Sequence, residues 1–403
     1  MNETLERIKL FVFAGLLLAL PFSKALLSIF TIAFCLVGVV GLFIGHQSKR
    51  PPTALLWLPV IYFGWHAVGM LWTTNYSFGW QDLNVKLPFL LLPLLLVSYR
   101  DVISHQWQIL TRIFILGLGL ALLYCLICSG VLYYSSGKIS EFFYTSFSKL
   151  LHPSYFAWFL DFAIILLFLD RSDSSNKLSI SVLLLVVYLS VGVLLLNSKA
   201  GIIGWMLSVA LVFVWKSYSS RSIRPLLTGS VWVVGFFLAS KFLVPDSVNR
   251  METMRKVVSA TKDNRGEAES SSTRLQVWHQ TIRLIKEQPL LGTGTGDIKD
   301  VLVAAYEKAN MSFAAERRFN THNQFLQSWL TLGVIGALIF VLLLFLPLRM
   351  AFINRDPALF VFIVLAAFNM MVEAMLEKQA GALYFSLFYS VFLYRNFQVK
   401  STP

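Results

Sequence analysis

The residues best suited to chemistry lie around the end of a long polar segment, 245–320, and His322 is the first of them. It follows Thr321 and precedes Asn323 and Gln324, where a new apolar run begins. Thr321 and Gln324 have the spacing of a capping box, which predicts a helix start and places His322 in the first helical turn. The positive end of a helix favours a neutral imidazole. We therefore expect His322 to accept a proton at neutral pH, as a general base does.

Four positively charged residues are candidates to bind an anion close to this histidine. Arg274 begins a second helical stretch, one turn before Trp278, and a guanidinium there can bind a phosphate group with two hydrogen bonds. Arg317 and Arg318 shortly precede the histidine, and Lys199 interrupts an apolar stretch at a turn. Each of the four also has a simpler interpretation as a solvated surface cation. Taken together, they predict a site for a phosphate or diphosphate.

An acidic pair near the end of the chain is the third candidate element. Glu373 and Glu377 lie one helical turn apart at the edge of an apolar run, followed by Lys378. An acid at such a depth is costly unless it is paired, so we expect Glu373 to orient the imidazole of His322 or a substrate hydroxyl. His152, at the head of another apolar run, is the one rival base.

Several familiar sites are missing from the sequence. Cys125 and Cys128 form a CxxC, but it has no second pair and no flanking polar ligands, and no Asp-x-Asp occurs, so we expect neither a metal ion nor another cofactor. The glycine cluster at 292–296 lacks the Gly-Lys-Ser/Thr of a phosphate-binding loop and is interpreted as a turn. Cys35, Cys125 and Cys128 all lie in apolar runs, which predicts inert thiols.

The elements that position these residues are membrane helices. Of the 403 residues, 57% are hydrophobic and 14% charged, and successive apolar runs are about as long as a bilayer is thick. Leu-rich runs without alternation exclude a β-barrel, because only helices and closed barrels satisfy the backbone in lipid. The predicted fold class is therefore all-α, a polytopic membrane protein.

The apolar runs predict twelve transmembrane helices and three regions. Residues 1–244 contain nine spans, 245–320 form a long helical loop outside the membrane, and 321–403 contain the last three spans. The predicted spans are 10–22, 25–45, 54–72, 86–98, 109–134, 152–170, 179–196, 200–215, 225–244, 323–346, 357–375 and 381–394.

The positive charge follows membrane topology. A formal charge of +13 would suggest a nucleic-acid partner in a soluble protein, but Lys and Arg concentrate in alternate segments between the spans. The positive-inside rule then places both termini in the cytoplasm and segment 245–320 outside, since long loops cross regardless of their charge. We expect membrane lipids as partners and no nucleic acid.

The outer segment is predicted to contain three helices. The first covers 248–258 and is followed by a flexible linker at 263–272. The second starts at Thr273 with a capping box, and its apolar stripe predicts a helix lying on the membrane surface. The stripe consists of Leu275, Trp278, Ile282 and Ile285. The third helix begins after Asp297 as its N-cap.

Four motifs between about 190 and 375 resemble the O-antigen ligase and polymerase superfamily of bacterial envelope glycosyltransferases. No single motif is specific, but their order and spacing are. The motifs are Asn197-Ser198-Lys199-Ala200-Gly201, Ser272-Thr273-Arg274 with Trp278, Pro289-Leu290-Leu291-Gly292-Thr293-Gly294, and Thr321-His322-Asn323.

The resemblance implies a saccharide donor on undecaprenyl diphosphate and transfer at the outer membrane face without a metal ion. Position by position, Arg274 would contact the diphosphate and His322 would be the base. Lys199 stands where the family usually has arginine, and Glu373 where it has an acid that is often aspartate. The preferred function is ligation of O-antigen polysaccharide onto the lipid A-core of lipopolysaccharide, in the bacterial inner membrane with the site on the periplasmic face.

Other functions remain open at this point. An O-antigen polymerase or a protein O-oligosaccharyltransferase would keep the same chemistry and change only the acceptor. A solute transporter is a different class that also commonly has twelve spans. Transporters place polar groups near the bilayer midplane and often consist of repeated halves. Here the candidate residues gather at the outer surface and no halves repeat, which favours the transferase.

Overall fold

The computed structural model describes residues 2–22, 24–44, 53–169, 179–243 and 271–398. These residues form helices and turns with no strand among them, so the predicted all-α class is confirmed. The helix predicted at 248–258 lies outside the described residues, as does most of the linker predicted at 263–272.

The α-helices are α1 (Asn2–Ala19), α2 (Lys24–Ile44), α3 (Trp57–Val68), α4 (Tyr76–Lys86), α5 (Pro88–Leu95), α6 (Arg100–Ser136), α7 (Tyr144–Phe147), α8 (Pro153–Leu169), α9 (Ile180–Leu196), α10 (Lys199–Ser220), α11 (Arg224–Leu243), α12 (Ser271–Glu287), α13 (Ile298–Lys308), α14 (Ser312–Glu316), α15 (Gln324–Ile353), α16 (Pro357–Val372) and α17 (Gln379–Gln398).

Six helical segments among the described residues are long and apolar enough to cross a bilayer, so the chain is a polytopic membrane protein. α8, α9 and α16 are apolar but shorter. The segment between the fourth and fifth predicted spans is helical, since a 3-10 turn at Leu96–Tyr99 leads directly into α6. The six segments are Ala25–Ile44, Ala54–Trp72, Tyr76–Ser136, Lys199–Ser220, Arg224–Phe242 and Gln324–Ile353.

Helix α8 lies at the centre of the helical bundle. Its side chains from Pro153 to Phe168 are all buried, and it packs against α6, α9, α10 and α16. A helix that is apolar on nearly every face is typical of a protein core or a membrane span. At its outer end, the hydroxyl of Tyr155 donates a hydrogen bond of 3.5 Å to the carbonyl of Ala374. The central helix thereby supports the turn that follows α16.

Helix α15 is broken at Gly333, and the segment 289–294 fills the break. Gly333 has φ 67° and ψ −167°, a conformation open to glycine and unfavourable for other residues. The amides of Thr293 and Gly294 donate to carbonyls of the helix before the break, at 2.8 and 3.0 Å. The amide of Val334 donates to the carbonyl of Pro289 at 2.9 Å. The glycine-rich segment therefore completes the backbone hydrogen bonds of a membrane helix.

Thr295 and Asp297, which follow the segment 289–294, connect it to the end of α3 and to the turn between α3 and α4. The hydroxyl of Thr295 donates to the carbonyl of His66 at 2.6 Å. Asp297 stands at the N-cap position of α13 as predicted, but its carboxylate does not cap that helix. It accepts hydrogen bonds from the amides of Thr74 and Asn75 at 2.8 and 2.6 Å. The predicted cap is thus a cross-link between distant segments.

The apolar face of α12 differs from the predicted stripe. The helix begins at Ser271, so Thr273 lies inside it and is not its N-cap. Val277 and Ile285 are buried in a cluster with residues of α13 and α15, whereas Leu275 and Ile282 are exposed. The helix packs on protein through a face rotated from the predicted stripe, because α13 and α15 supply an apolar partner that the local sequence does not show.

We predict that Gly333→Ala loosens the contact between α15 and the segment 289–294. A Cβ at this position would overlap the carbonyl of Leu290, and the positive φ is strained for alanine. The free energy of unfolding should fall by at least about 1 kcal/mol, measured as thermal unfolding in detergent. Gly130→Ala in α6 is the control, since its Cβ would have no neighbour within 4 Å. Equal stability of the two variants would contradict this account.

Candidate active site

A cavity of about 660 Å³ lies between the outer helices and the membrane helices. Its walls come from the ends of α4, α8 and α13, the turn before α15 and the turn between α16 and α17. One side is apolar and includes residues at the connection between α1 and α2. The polar side contains most of the chemistry, and its charged or titratable residues include His152, Lys299, Arg318, His322, Glu373 and Lys378.

His322 lies just before α15, outside the helix. The predicted capping box is wrong, because the N-cap is Asn323, whose side-chain oxygen accepts from the amides of Phe325 and Leu326. Thr321 and Asn323 are both good capping residues, and the predicted helix start was therefore two residues too early. His322 has φ 47°, and its amide donates to the side chain of Asn320 at 2.9 Å. The imidazole is thus presented on a turn.

Hydrogen bonds from both sides fix this turn. The hydroxyl of Thr321 donates to the carbonyl of Asn323 at 2.7 Å, and the side-chain amide of Asn323 donates to the carbonyl of Met371 at 2.9 Å. Gln324, expected to complete the cap, instead donates to the carboxylate of Glu377 at 3.1 Å and accepts from the amide of Leu376 at 2.8 Å. The start of α15 is therefore held against the turn that carries the two acids.

Glu373 forms the main polar contact of His322. The imidazole Nδ1 lies 2.9 Å from Oε2 and 3.1 Å from Oε1 of the carboxylate. The two side chains are 12% and 11% exposed, so water weakens the contact little. A carboxylate at Nδ1 holds the ring proton there, which leaves Nε2 as the nitrogen that can accept a proton. The ring of Phe319 packs edge-on against the imidazole at 5.1 Å and limits its rotation.

Arg274 approaches the same carboxylate from α12. Its Nη2 atom lies 3.6 Å from Oε2 of Glu373, and the side chain is 23% exposed. Its Nε atom is buried and has no hydrogen-bond partner within the described part of the chain. The structure thus brings together three of the predicted site residues, and their roles in a reaction stay a prediction.

The three remaining predicted cations differ in their positions. Arg318 lines the cavity and forms an ion pair of 2.7 Å with Asp300. Arg317 is exposed and lies over the ring of Phe313 at 5.7 Å. Lys199 is the first residue of α10, after the N-cap Ser198. Neither Arg317 nor Lys199 lines this cavity.

Sequence reasoning missed a buried ion-pair network at the cavity wall. Lys86 is fully buried, and its Nζ atom lies 2.5 Å from Asp82 and 3.2 Å from Glu377. The pair Asp82 and Lys86 has the spacing of one helical turn, which is a signal that the sequence contains. The contact with Glu377, 291 residues away, has no local signal.

Lys299 and Lys378 also line the cavity and were not predicted as site residues. Lys299 lies in the first turn of α13, and its Nζ is 4.9 Å from the ring centre of Phe78. Lys378 directly precedes α17. Neither lysine has a local signal of a site, because their approach depends on how the outer helices pack.

The O-antigen ligase family model matches residues 184–341, which is less than half of the chain. The match includes Lys199, Arg274 and His322, and it ends before Glu373. The chain is also 21% identical over 155 residues to an uncharacterized protein of Haemophilus influenzae. That alignment covers 38% of each protein, so the chain spans well under half of this relative.

The family match and the described fold agree on the class of protein. The matched region extends from α9 to α15 and contains all four motifs noted in the sequence, which lie in α12 and in the turns before α10, α13 and α15. The match over residues 184–341 supports the resemblance to the O-antigen ligase and polymerase superfamily that the sequence motifs indicate.

Proposed function

We propose that the chain ligates O-antigen polysaccharide, carried on undecaprenyl diphosphate, onto a hydroxyl of the lipid A-core. The family match supports a lipid-linked glycan as donor. One observation carries the proposal, namely the contact of 2.9 Å between His322 Nδ1 and Glu373 Oε2 at the wall of the cavity. It pairs an imidazole with an orienting carboxylate, which is the arrangement that general-base catalysis uses.

His322 acts as the base in the proposed reaction. Its Nε2 atom takes the proton of the acceptor hydroxyl while the hydroxyl oxygen attacks the anomeric carbon of the donor saccharide. Glu373 holds the ring in one tautomer and stabilises the imidazolium that forms. The cavity of about 660 Å³ has room for sugar units of donor and acceptor beside the imidazole.

The cations stabilise the leaving group. As the bond between the anomeric carbon and the phosphate oxygen breaks, its electron pair moves to the diphosphate, whose negative charge grows. Fixed positive groups stabilise this charge, because they need no rearrangement when the reaction occurs. Arg274 contacts Glu373 of the proposed catalytic pair, and Arg318 lines the cavity. Lys199 and Arg317 complete the proposed set of cations.

The proposed location follows from the distribution of charge and from the family. Both termini lie in the cytoplasm under the positive-inside rule, and the helices α12, α13 and α14 then lie on the periplasmic side of the bacterial inner membrane. His322 and Glu373 both flank ends of apolar helices, α15 and α16, which supports a position close to that surface.

A reconstituted reaction tests the proposal. The purified protein is mixed with a lipid-linked O-antigen donor and one of three acceptors: lipid A-core, a further glycan repeat, or a protein. Release of undecaprenyl diphosphate with lipid A-core alone is the expected result. Release only with the glycan or the protein would reassign the acceptor and identify a polymerase or a protein O-oligosaccharyltransferase. Movement of a solute without any release would identify a transporter.

We predict that His322→Ala lowers the rate of transfer by roughly 10²-fold or more, because the acceptor hydroxyl loses its base. The variant should still insert into the membrane, since the turn is held by Thr321 and Asn323. The measurement is release of undecaprenyl diphosphate by matched amounts of protein. His279→Ala is the control, because His279 is exposed on α12 and does not line the cavity. Normal transfer by His322→Ala would remove the base assignment.

We predict that Arg274→Ala raises the KM for the lipid-linked donor by roughly ten-fold, because a charged hydrogen-bond donor to the diphosphate is lost. The KM for the acceptor should change much less. Arg283→Ala is the matched control on the same helix, since Arg283 is half exposed and pairs with Glu287. An unchanged KM for the donor would show that Arg274 only holds Glu373 and helix α12 in place.

A further inference from the structure

Two lysines face the cavity from different elements and do not belong to the predicted diphosphate set. Lys299 comes from the first turn of α13 and Lys378 from the turn before α17. The Nζ atom of Lys299 lies over the ring of Phe78, which also lines the cavity. Long side chains from separate elements thus reach one cavity wall, where Lys299 is half-buried and Lys378 is exposed.

The carboxylates of the cavity already have other partners. Asp82 and Glu377 both bind the buried Lys86, and Glu373 binds His322. Asp300, beside the cavity, binds Arg318. Within the described residues, neither Lys299 nor Lys378 forms an ion pair with a carboxylate. The positive charge of these two lysines is therefore not neutralised by the protein around them.

The electrostatic surroundings of Lys299 agree with this geometry. Burial lowers the pKa of Lys299, and the nearby positive charges of Lys378 and Arg318 lower it further. Glu377 and Asp82 act in the opposite direction without reversing the shift. A bound anion would offset both the cost of burying the charged amine and its repulsion by the neighbouring cations, since an opposite charge favours the charged form of an amine.

We propose that Lys299 and Lys378 form an anion-binding subsite for a phosphate or carboxylate group on a saccharide substrate. The subsite is separate from Arg274, which contacts Glu373 from α12 and does not line this cavity. Phe78, which is half-buried beside Lys299 and also lines the cavity, suits packing against a sugar ring that carries the anion. This inference rests on the proposed function, and the anion comes either from the acceptor saccharide or from the diphosphate of the donor.

A binding measurement tests the subsite without relying on transfer. Inorganic phosphate and inorganic pyrophosphate are titrated into the full-length protein in detergent. Combining Lys299→Gln with Lys378→Gln should weaken binding of at least one probe by roughly ten-fold or more. The corresponding arginine variant should retain binding, because it keeps both charges. Lys308→Gln is the matched control, since Lys308 is exposed at the other end of α13 and does not line the cavity.

Two outcomes of the titration would overturn the subsite. One is binding by the double glutamine variant that equals binding by the unchanged protein. The other is the same loss of binding in Lys308→Gln, which would show a general effect of net charge. Loss confined to the double glutamine variant supports the subsite even if the unchanged protein shows no transfer, so failure of the proposed function is distinguishable from failure of this inference.

Transfer kinetics identify the source of the anion. The double glutamine variant is compared with the unchanged protein on a lipid A-core acceptor and on the same acceptor after removal of its phosphates. A higher KM only for the phosphorylated acceptor assigns the subsite to the acceptor. A higher KM for the donor with both acceptors assigns it to the donor diphosphate. Unchanged KM values for every substrate would exclude a role for these lysines in binding either one.

Discussion

The carboxylate of Glu373 is the interaction on which the arrangement of the site depends. It accepts a hydrogen bond of 2.9 Å from the imidazole of His322, in the turn before α15. It also forms an ion pair of 3.6 Å with the guanidinium of Arg274 on α12. A buried acid lowers the stability of the fold unless it is paired. Removing one partner of a buried ion pair lowers stability by more than the intact pair contributes, because the other charge is left buried and unpaired. Three elements that are distant in sequence are therefore held together by one negative charge.

The surrounding turns make this contact geometrically stable. Asn323 caps α15 and binds the end of α16, and Gln324 binds the next acid, Glu377. Glu377 in turn shares Lys86 with Asp82 on α4. Side-chain hydrogen bonds thus continue from Gln324, two residues after His322, to α4. Such networks specify one arrangement when every member is satisfied.

The sequence predicted the class of fold and the main residues of the site because both have local signals. Long apolar runs identify membrane helices, and a histidine among polar residues at the start of such a run stands out. The exact cap could not be predicted, since Thr321 and Asn323 are both favourable capping residues. Lys299 and Lys378 were missed because their meeting depends on the packing of the outer helices. The packing of Val277 on α12 was missed for the same reason, since its neighbours lie elsewhere in the chain.

The segment 289–297 has a mechanical consequence for how substrates reach the cavity. It replaces backbone hydrogen bonds of α15 on one side and binds the turn after α3 on the other. A rigid-body movement of α12 and α13 away from the membrane helices would break these hydrogen bonds. Backbone amides left unpaired are costly where little water can replace the lost partner. Under the proposed function, a lipid-linked sugar would therefore enter past a different edge. Leu20, Phe22 and Leu27 line an apolar side of the cavity. Entry from the bilayer along this side would leave the hydrogen bonds of segment 289–297 intact.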